Sequence, residues 1–386
     1  MIEAREINLV CPLTDGGIAV NNLESARQRS WSRFWREPSR LGIAEYVVEQ
    51  EQLTLQLLGD TNTLDRLEAL VDYLDLAEAG SPRTALIQAQ VTSMAHRFAD
   101  ARGYLAKAAD GKGWSDAANR LSLSIDQACG TRLDAVLEAR KRLAAQWGRL
   151  EELVPLGALH ADLRDFDEAD RTYQRALRQY RDASPFAVAW VCFQLGVLWG
   201  ELVPDAQLAR AARWYGAAIE YLPGYVKARV HLAELFCGCG RTGDAEALLI
   251  PALSSGDPEV RWRLADAMAA MGRLTEAEVQ MQAARSGFEV LLEKHLLAFA
   301  DHGAEFYSGS GNDAKRAFEL ASLNLANRPT LRAFEHAYKT AVAAGLPERA
   351  AEILAAGRNR WGTTNAFRFS PLADCGADFV KNDAGP

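Results

Sequence analysis

Residues 156–176 read LGALHADLRDFDEADRTYQRA, and the spacing inside this stretch decides the fold. Gly157 and Ala169 are small, Leu156 and Tyr173 are large, and both sets recur along the chain at helical spacing. Small side chains let two helices approach closely, while large ones fill the space towards a neighbouring pair. Working outward, an alanine followed four residues later by a large side chain returns as Ala101/Leu105, Ala169/Tyr173, Ala211/Tyr215, Ala245/Leu249, Ala277/Met281, Ala314/Phe318 and Ala350/Leu354. Ala135/Ala139 is a weaker member in the same phase. Successive alanines stand 34, 34, 42, 34, 32, 37 and 36 residues apart. A period sustained over so many units means stacked helical hairpins, none of which buries its apolar face alone.

The units agree in more than their alanines. Leu195-Gly196 with Trp199 precedes Ala211 and Tyr215 and closes at Pro223, the long step being absorbed by a wider turn at Val203-Pro204-Asp205. Leu232-Ala233, Phe236, Gly240-Arg241 and Ala245 follow, then Leu264-Ala265, Met268, Gly272-Arg273 and Ala277. The Gly-Arg pairs fall where a first helix must stop, and glycine suits a left-handed cap. Pro223, Pro258 and Pro329 forbid a helix from running on. These residues resemble the tetratricopeptide repeat (TPR), in which W-x2-L-G-x2-Y, A-x3-F and a closing Pro lie within one helix-turn-helix. The resemblance covers residues 81–360; it is weakest at 112–147 and at 291–329, where Gly303 and Ser308-Gly309-Ser310-Gly311 interrupt the pattern. It implies an all-α fold, a right-handed α-solenoid of TPR-like helix-turn-helix repeats.

The expected organisation is an N-terminal arm and basic aromatic helix over 1–40, a degenerate capping hairpin over 41–80, about eight repeats over 81–360 and an irregular tail over 361–386. Residues 1–22 have no helical period and read as an extended arm. Leu64, Leu67, Leu70, Val71 and Leu74 mark the second helix of the cap. Between arm and cap, residues 26–40 interleave Arg27, Arg29, Arg33, Arg36 and Arg40 with Trp31, Phe34 and Trp35. Such a helix suits a membrane surface, an acidic partner or nucleic acid. The aromatics share one face, however, so the favoured reading is that they pack on the first hairpin.

The chain has 386 residues, 49% hydrophobic and 24% charged, with a formal net charge of −8, an ordinary globular composition. Its acid excess argues against phosphate-backbone binding, so no nucleic-acid partner is expected. No run approaches the roughly 18–20 apolar residues of a membrane span. Cys11, Cys129, Cys192, Cys237, Cys239 and Cys375 are too sparse for a disulfide framework. Residues 1–12 lack the basic n-region and apolar core of a signal peptide. The expectation is a cytoplasmic protein, or a periplasmic one had a leader been removed, and the Arg- and Ala-rich composition suggests a bacterial source.

In TPR proteins the first helix of each hairpin lines a concave groove. Counting outward from the Leu-Gly pairs places Trp190, Phe193, Val197 and Glu201 on that face, then Lys227, Val230, Glu234 and Cys237, then Glu259, Trp262 and Asp266. Glu201, Glu234, Glu259 and Asp266 form an acidic stripe with aromatic patches and one lysine, which suits a basic peptide through ion pairing and cation–π contact. In the plainer reading the aromatics are buried between repeats and the acids only solubilise the surface. The carboxylate clamp of some TPR proteins is not expected, because Val154, Ala158, Phe193, Val197, Val230 and Glu234 hold the corresponding inner positions.

Other candidates carry less. Cys237-Gly238-Cys239 is one residue short of a C-x2-C motif and has no second pair. Cys11-Pro12 is loop chemistry. His160, His295 and His302 lack metal-site spacing and read as packed or solvated histidines. The G-x-S-x-G, Walker-type and G-x-G-x-x-G patterns are missing. No catalytic residue, metal or cofactor is therefore expected. The expected function is a non-catalytic scaffold or adaptor that holds a protein or peptide; a ligand- or peptide-responsive regulatory sensor is the first alternative, and an enzyme or obligate subunit of an enzyme complex, using groove residues such as Glu234, Asp266 and Lys227, is the second.

Overall fold

The computed structural model describes residues 9, 11–109 and 113–375, and among these the regular elements are all helices. Residues 1–8 and 10 of the expected arm and residues 376–386 of the expected tail lie outside the described residues. Helix α1 (Gly16–Arg36) is followed by α2 (Ile43–Leu58) and α3 (Thr63–Ala77), the capping hairpin. The next four hairpins pair α4 (Pro82–Met94) with α5 (Phe98–Ala109), α6 (Ser115–Ala128) with α7 (Leu133–Gln146), α8 (Leu150–Asp162) with α9 (Phe166–Gln179), and α10 (Pro185–Val197) with α11 (Leu208–Tyr221). Then come α12 (Val226–Gly238) with α13 (Thr242–Leu249), and α14 (Pro258–Ala270) with the first part of α15 (Leu274–Ser308). The second part of α15 pairs with α16 (Ala314–Asn327), and α17 (Leu331–Ala343) with α18 (Pro347–Trp361). Two single-turn helices, α19 (Asn365–Arg368) and α20 (Pro371–Asp374), close the described chain and bury Phe367 and Leu372.

Each helix packs chiefly on its neighbours in sequence, which is the contact pattern of a solenoid. The fourth residue of the second helix is the buried close-approach point: Ala101, Val136, Ala169, Ala211, Ala245, Ala277, Ala317 and Ala350. Two alanines of the sequence register are thereby corrected. Ala135 is exposed and Val136 buried; Ala314 is only half-buried and Ala317 takes its place. Both errors fall in the weak units, where the turn lengths differ. Facing these points, Gly157 sits so tightly on Tyr173 that an added Cβ would lie 2.8 Å from the ring, and Gly196 abuts Tyr215 in the same way. Gly303 does not interrupt the array. It lies within α15, against Leu292 and Leu320, and the true break is at His295, whose φ of −133° and ψ of 53° divide α15 in place of a loop.

The helical period begins earlier than its sequence suggests. Asp15 accepts a hydrogen bond from the Ile18 backbone N–H and starts α1 at Gly16, so residues 16–22 are helix and not arm. The aromatic segment packs on the cap as the favoured reading expects: Phe34 is fully buried, and the Trp31 indole donates to Glu51 at 2.6 Å. Only Trp35 remains half exposed.

The superhelix also closes on itself. The turns inside the first four hairpins, near residues 59, 96, 130 and 164, dock one after another on later hairpins. Gly59 packs on Val226 and Ser255. The His96 ring approaches the Leu297 carbonyl at 3.2 Å, and its own carbonyl accepts from Asn327 at 2.9 Å. Gly130 lies on Pro329, Thr330 and Trp361, and Arg164 pairs with Glu335 at 2.8 Å. Between these points Asp65 accepts from Lys294 at 2.6 Å and pairs with His295 at 2.8 Å. Successive turns of the superhelix are therefore in contact. The N-terminal helices α1 and α2 lie against α10. That explains why residues Pro185–Leu202 reach a mean hydropathy of 1.4, which a membrane span would also satisfy. The expectation that no run comes near such a length is corrected here: this is an apolar core helix, covered on more than one side.

Candidate functional site

The first helices α10, α12, α14, the second half of α15 and α17 form the inner wall. Three of them present charge in one register, at their second, sixth and ninth positions: Lys227, His231 and Glu234 on α12; Glu259, Arg263 and Asp266 on α14; Arg332, His336 and Lys339 on α17. Spacings of four and three residues put each trio on one face.

The trios are wired across helices. Lys227 donates to Glu259 at 2.7 Å and lies 3.4 Å from Asp257; Glu259 in turn meets the His302 ring at 2.7 Å. Asp301, paired with Arg328, stands on the other side of His302. Burial opposes charge on His302 and Lys227 repels it, but Asp301 and Glu259 outweigh both and push its pKa up to about 9. Glu234 pairs with Arg263 at 2.9 Å, and Asp266, within reach of the same guanidinium at 3.9 Å, accepts from Ser310.

A second cluster forms where α10 ends. Residues Leu198–Leu202 make a π-helical turn that carries Glu201 inward. Glu201 accepts from the Tyr215 hydroxyl at 2.7 Å, pairs with His231 at 2.6 Å and faces Arg332 at 3.9 Å. Burial works against its charge, yet His231 and Arg332 bring its pKa down to about 2. Arg332 also lies 3.7 Å from Glu305 and so reaches from α17 to both α10 and α15. Its side chain is still 62% exposed. Asp162, at the end of α8, is exposed on its own surface but is crowded by the surrounding protein, which desolvates its carboxyl. Its surroundings push its pKa up to about 6, against the pull of Arg332 and Arg164. The site is thus an inner wall of charge paired across helices.

The expected groove residues divide into two sets. Glu201, Lys227, Glu234, Glu259 and Asp266 do share the inner wall. Phe193 and Trp262 are buried and are not surface patches. Phe193 packs on Trp190, Tyr215, Tyr225 and the His231 ring. Trp262 packs on Phe288 and Phe306, with Arg263 over its face at 3.8 Å. Trp190 is half-buried beside Phe193. Nor is the stripe simply acidic: Glu201, Glu234 and Glu259 each have a cation supplied by another helix, and Asp266 lies near Arg263 of its own helix. Sequence reading missed His231, Arg263 and Arg332, and took His302 only for a packed or solvated histidine. The register of positions two, six and nine, extended from Lys227 and Glu259, would have found all of these but His302. Of the lesser candidates, His160 is buried as expected, His295 is buried against α3, and Cys237 and Cys239 are unpaired.

Glu259, His302 and Glu305 bring three ligand-type atoms within 4.8 Å of one another. Each already has a countercharge: Lys227 on Glu259, Arg332 near Glu305, and a proton on His302 held by two carboxylates. A dication would have to displace these cations, so the trio reads as part of the ion-pair network.

No family model matches the chain, and none of the curated proteins does. Among solved structures it is similar to the APC/C hetero-tetramer Cut9-Hcn1, with 14% identity and a TM-score of 0.41 over 90% of this chain and 64% of that one. It is also similar to the C-terminal part of a TPR repeat-containing protein from Cytophaga hutchinsonii, with 12% identity and a TM-score of 0.31 over 76% and 97% of the two chains. A third similar structure is IFIT1 with Gppp-AAAA, with 12% identity and a TM-score of 0.35 over 88% and 67%. The chain spans less than two thirds of the Cut9-Hcn1 chain it matches. The likeness is one of fold alone: a solenoid of stacked, TPR-like helical hairpins.

Proposed function

We propose that the chain is a non-catalytic binding scaffold whose inner wall, along α10, α12, α14, α15 and α17, holds an extended basic segment of a partner protein. The observation that carries this reading is the network of ion pairs and hydrogen bonds that links these helices along one wall, in a place where stability alone would favour apolar packing. Two pairs of carboxylates each share one guanidinium. Glu234 and Asp266 share Arg263, and Glu201 and Glu305 share Arg332. A lysine or arginine side chain from a partner would complete either set. A reducing compartment such as the cytoplasm suits the six unpaired cysteines.

The test is site-specific photo-crosslinking in extract of the native host, with the probe replacing Glu234 or Glu305. Val279, 62% exposed on the second helix of its hairpin, serves as control. The expected result is one shared partner protein captured at both inner positions and not at Val279, its crosslinked peptide rich in lysine or arginine. Equal capture at Val279, or capture of segments without basic residues, would overturn the reading.

A further inference from the structure

A second surface lies away from the inner wall, where α1 meets the capping hairpin. Trp35 is 50% exposed, Tyr73 39% and Leu76 87%. The Trp35 and Tyr73 rings meet edge-on at 5.3 Å and Phe34 also meets Tyr73, so the C-terminal end of α1 reaches α3 through these aromatics, which form the seam between them. At about 100° per residue, Arg36 and Arg33 continue round α1 away from that seam. On α3 the surface passes from Tyr73 through Leu76 to Asp72 and then Asp75. All four charged side chains are exposed. None has an ion-pair partner among the described residues, and Asp75 accepts only from the Gln88 amide at 3.0 Å.

From one side to the other, the surface is therefore a basic strip on α1, an apolar seam and an acidic strip on α3. That order is self-complementary. A two-fold axis along the seam lays the α1 of one copy on the α3 of another, brings Trp35 and Leu76 of both copies together, and sets Arg33 and Arg36 opposite Asp72 and Asp75 twice over. An acidic peptide would leave Asp72 and Asp75 facing like charge, and so would an anionic lipid surface. A second copy satisfies both strips at once. We infer that this face is a homodimer interface, built by α1 and α3 and independent of the inner wall.

Sedimentation velocity on the full chain, from about 1 to 100 µM, tests it. Wild type is expected to dimerise within this range. Arg33→Glu with Arg36→Glu is expected to weaken the dimer by about tenfold or more, because four attractive contacts become repulsive. Asp72→Arg with Asp75→Arg should do the same, and all four changes together should restore association. Leu76→Glu, at an exposed position that folding does not need, should also dissociate the dimer. The inference is overturned if wild type stays monomeric throughout, or if a dimer forms that ignores the charge reversals. It is equally overturned if the monomer binds phosphatidylserine vesicles or poly-glutamate through Arg33 and Arg36.

Discussion

Arg164 offers the sharpest test of superhelical closure, because its backbone and its side chain pull in opposite directions. Its φ of 63° is left-handed, at the turn position that Gly240, Gly272 and Gly345 fill in other hairpins. A side-chain-bearing residue costs about 1–2 kcal/mol there. Against this, its guanidinium meets both oxygens of Glu335 at 2.8 and 3.0 Å and donates to the Leu202 carbonyl at 3.3 Å. Charge-assisted bonds of this kind contribute about 1.5–3 kcal/mol. Screening by solvent is light, since the two side chains are only 14% and 17% exposed. Arg164→Ala keeps the backbone strain and loses the pair, so it should destabilise by about 2–3 kcal/mol. Arg164→Gly also loses the pair but relieves strain, and should cost about 1 kcal/mol less than the alanine variant. Glu335→Ala completes a double-mutant cycle with an expected coupling of about 1–2 kcal/mol. Urea unfolding followed by circular dichroism measures wild type, the three single variants and the Arg164→Ala/Glu335→Ala double variant, and small-angle scattering reports whether the superhelix opens. If Arg164→Gly matches or exceeds wild type, or the coupling is below about 0.5 kcal/mol, closure does not depend on this pair and the reasoning fails.

Gly157→Ala drives a methyl group into the Tyr173 ring and should cost about 2–3 kcal/mol, whereas Gly216→Ala, with open space around it in α11, should be neutral or slightly stabilising in the same melts. Trp262→Ala should lower the melting temperature sharply, as loss of a buried aromatic does, while Glu234→Lys leaves it nearly unchanged; the reverse result would return Trp262 to the groove surface. The pKa of His302 is raised above its ordinary value, so its stabilising contribution is complete below about pH 6.5 and is lost as pH rises through about 9. His302→Gln should flatten that part of the stability profile in denaturant titrations between pH 6 and 10.

The regular parts of the fold are legible because each depends on neighbours in sequence. Six of the eight close-approach positions, the left-handed glycines and the punctuating prolines follow from local spacing. The two errors of register, at Ala135 and Ala314, arise where a turn gains or loses a residue, which spacing from a fixed period cannot see. The inner wall is half legible for the same reason. Lys227, Glu259 and their acidic companions follow from one helix face, but their partners come from the next hairpin or from a helix far along the chain. Arg332 looks like a surface residue in its own helix. Only the return of the chain brings it to Glu201, from 131 residues away.

Closure changes what the charged wall does. In an open groove, bulk water would screen Glu201, Glu259 and their cations, and each pair would contribute little. Beside the seam held by His96, Gly130 and Arg164, the better-buried pairs, such as Lys227–Glu259 with side chains 26% and 8% exposed, are screened less. Any group that enters must compete with Arg332 or Arg263 for a carboxylate. An entering basic side chain then gains more than it would at an exposed surface, because the field is concentrated and the carboxylates are already oriented by Tyr215, His231 and Ser310. The seal also restricts how a partner enters. The seam rests on turn contacts that include the Asn327–His96 bond, the Arg360–Gly130 bond and the Arg164–Glu335 pair. A folded partner could not pass sideways without breaking these contacts, whereas an extended segment could thread from an open end with the seam intact. It follows that Arg164→Gly, by loosening the seam, should speed both entry and exit of a bound peptide. The two rates should rise together with little change in affinity, and a loss of affinity by faster exit alone would instead mean that Arg164 holds the peptide itself.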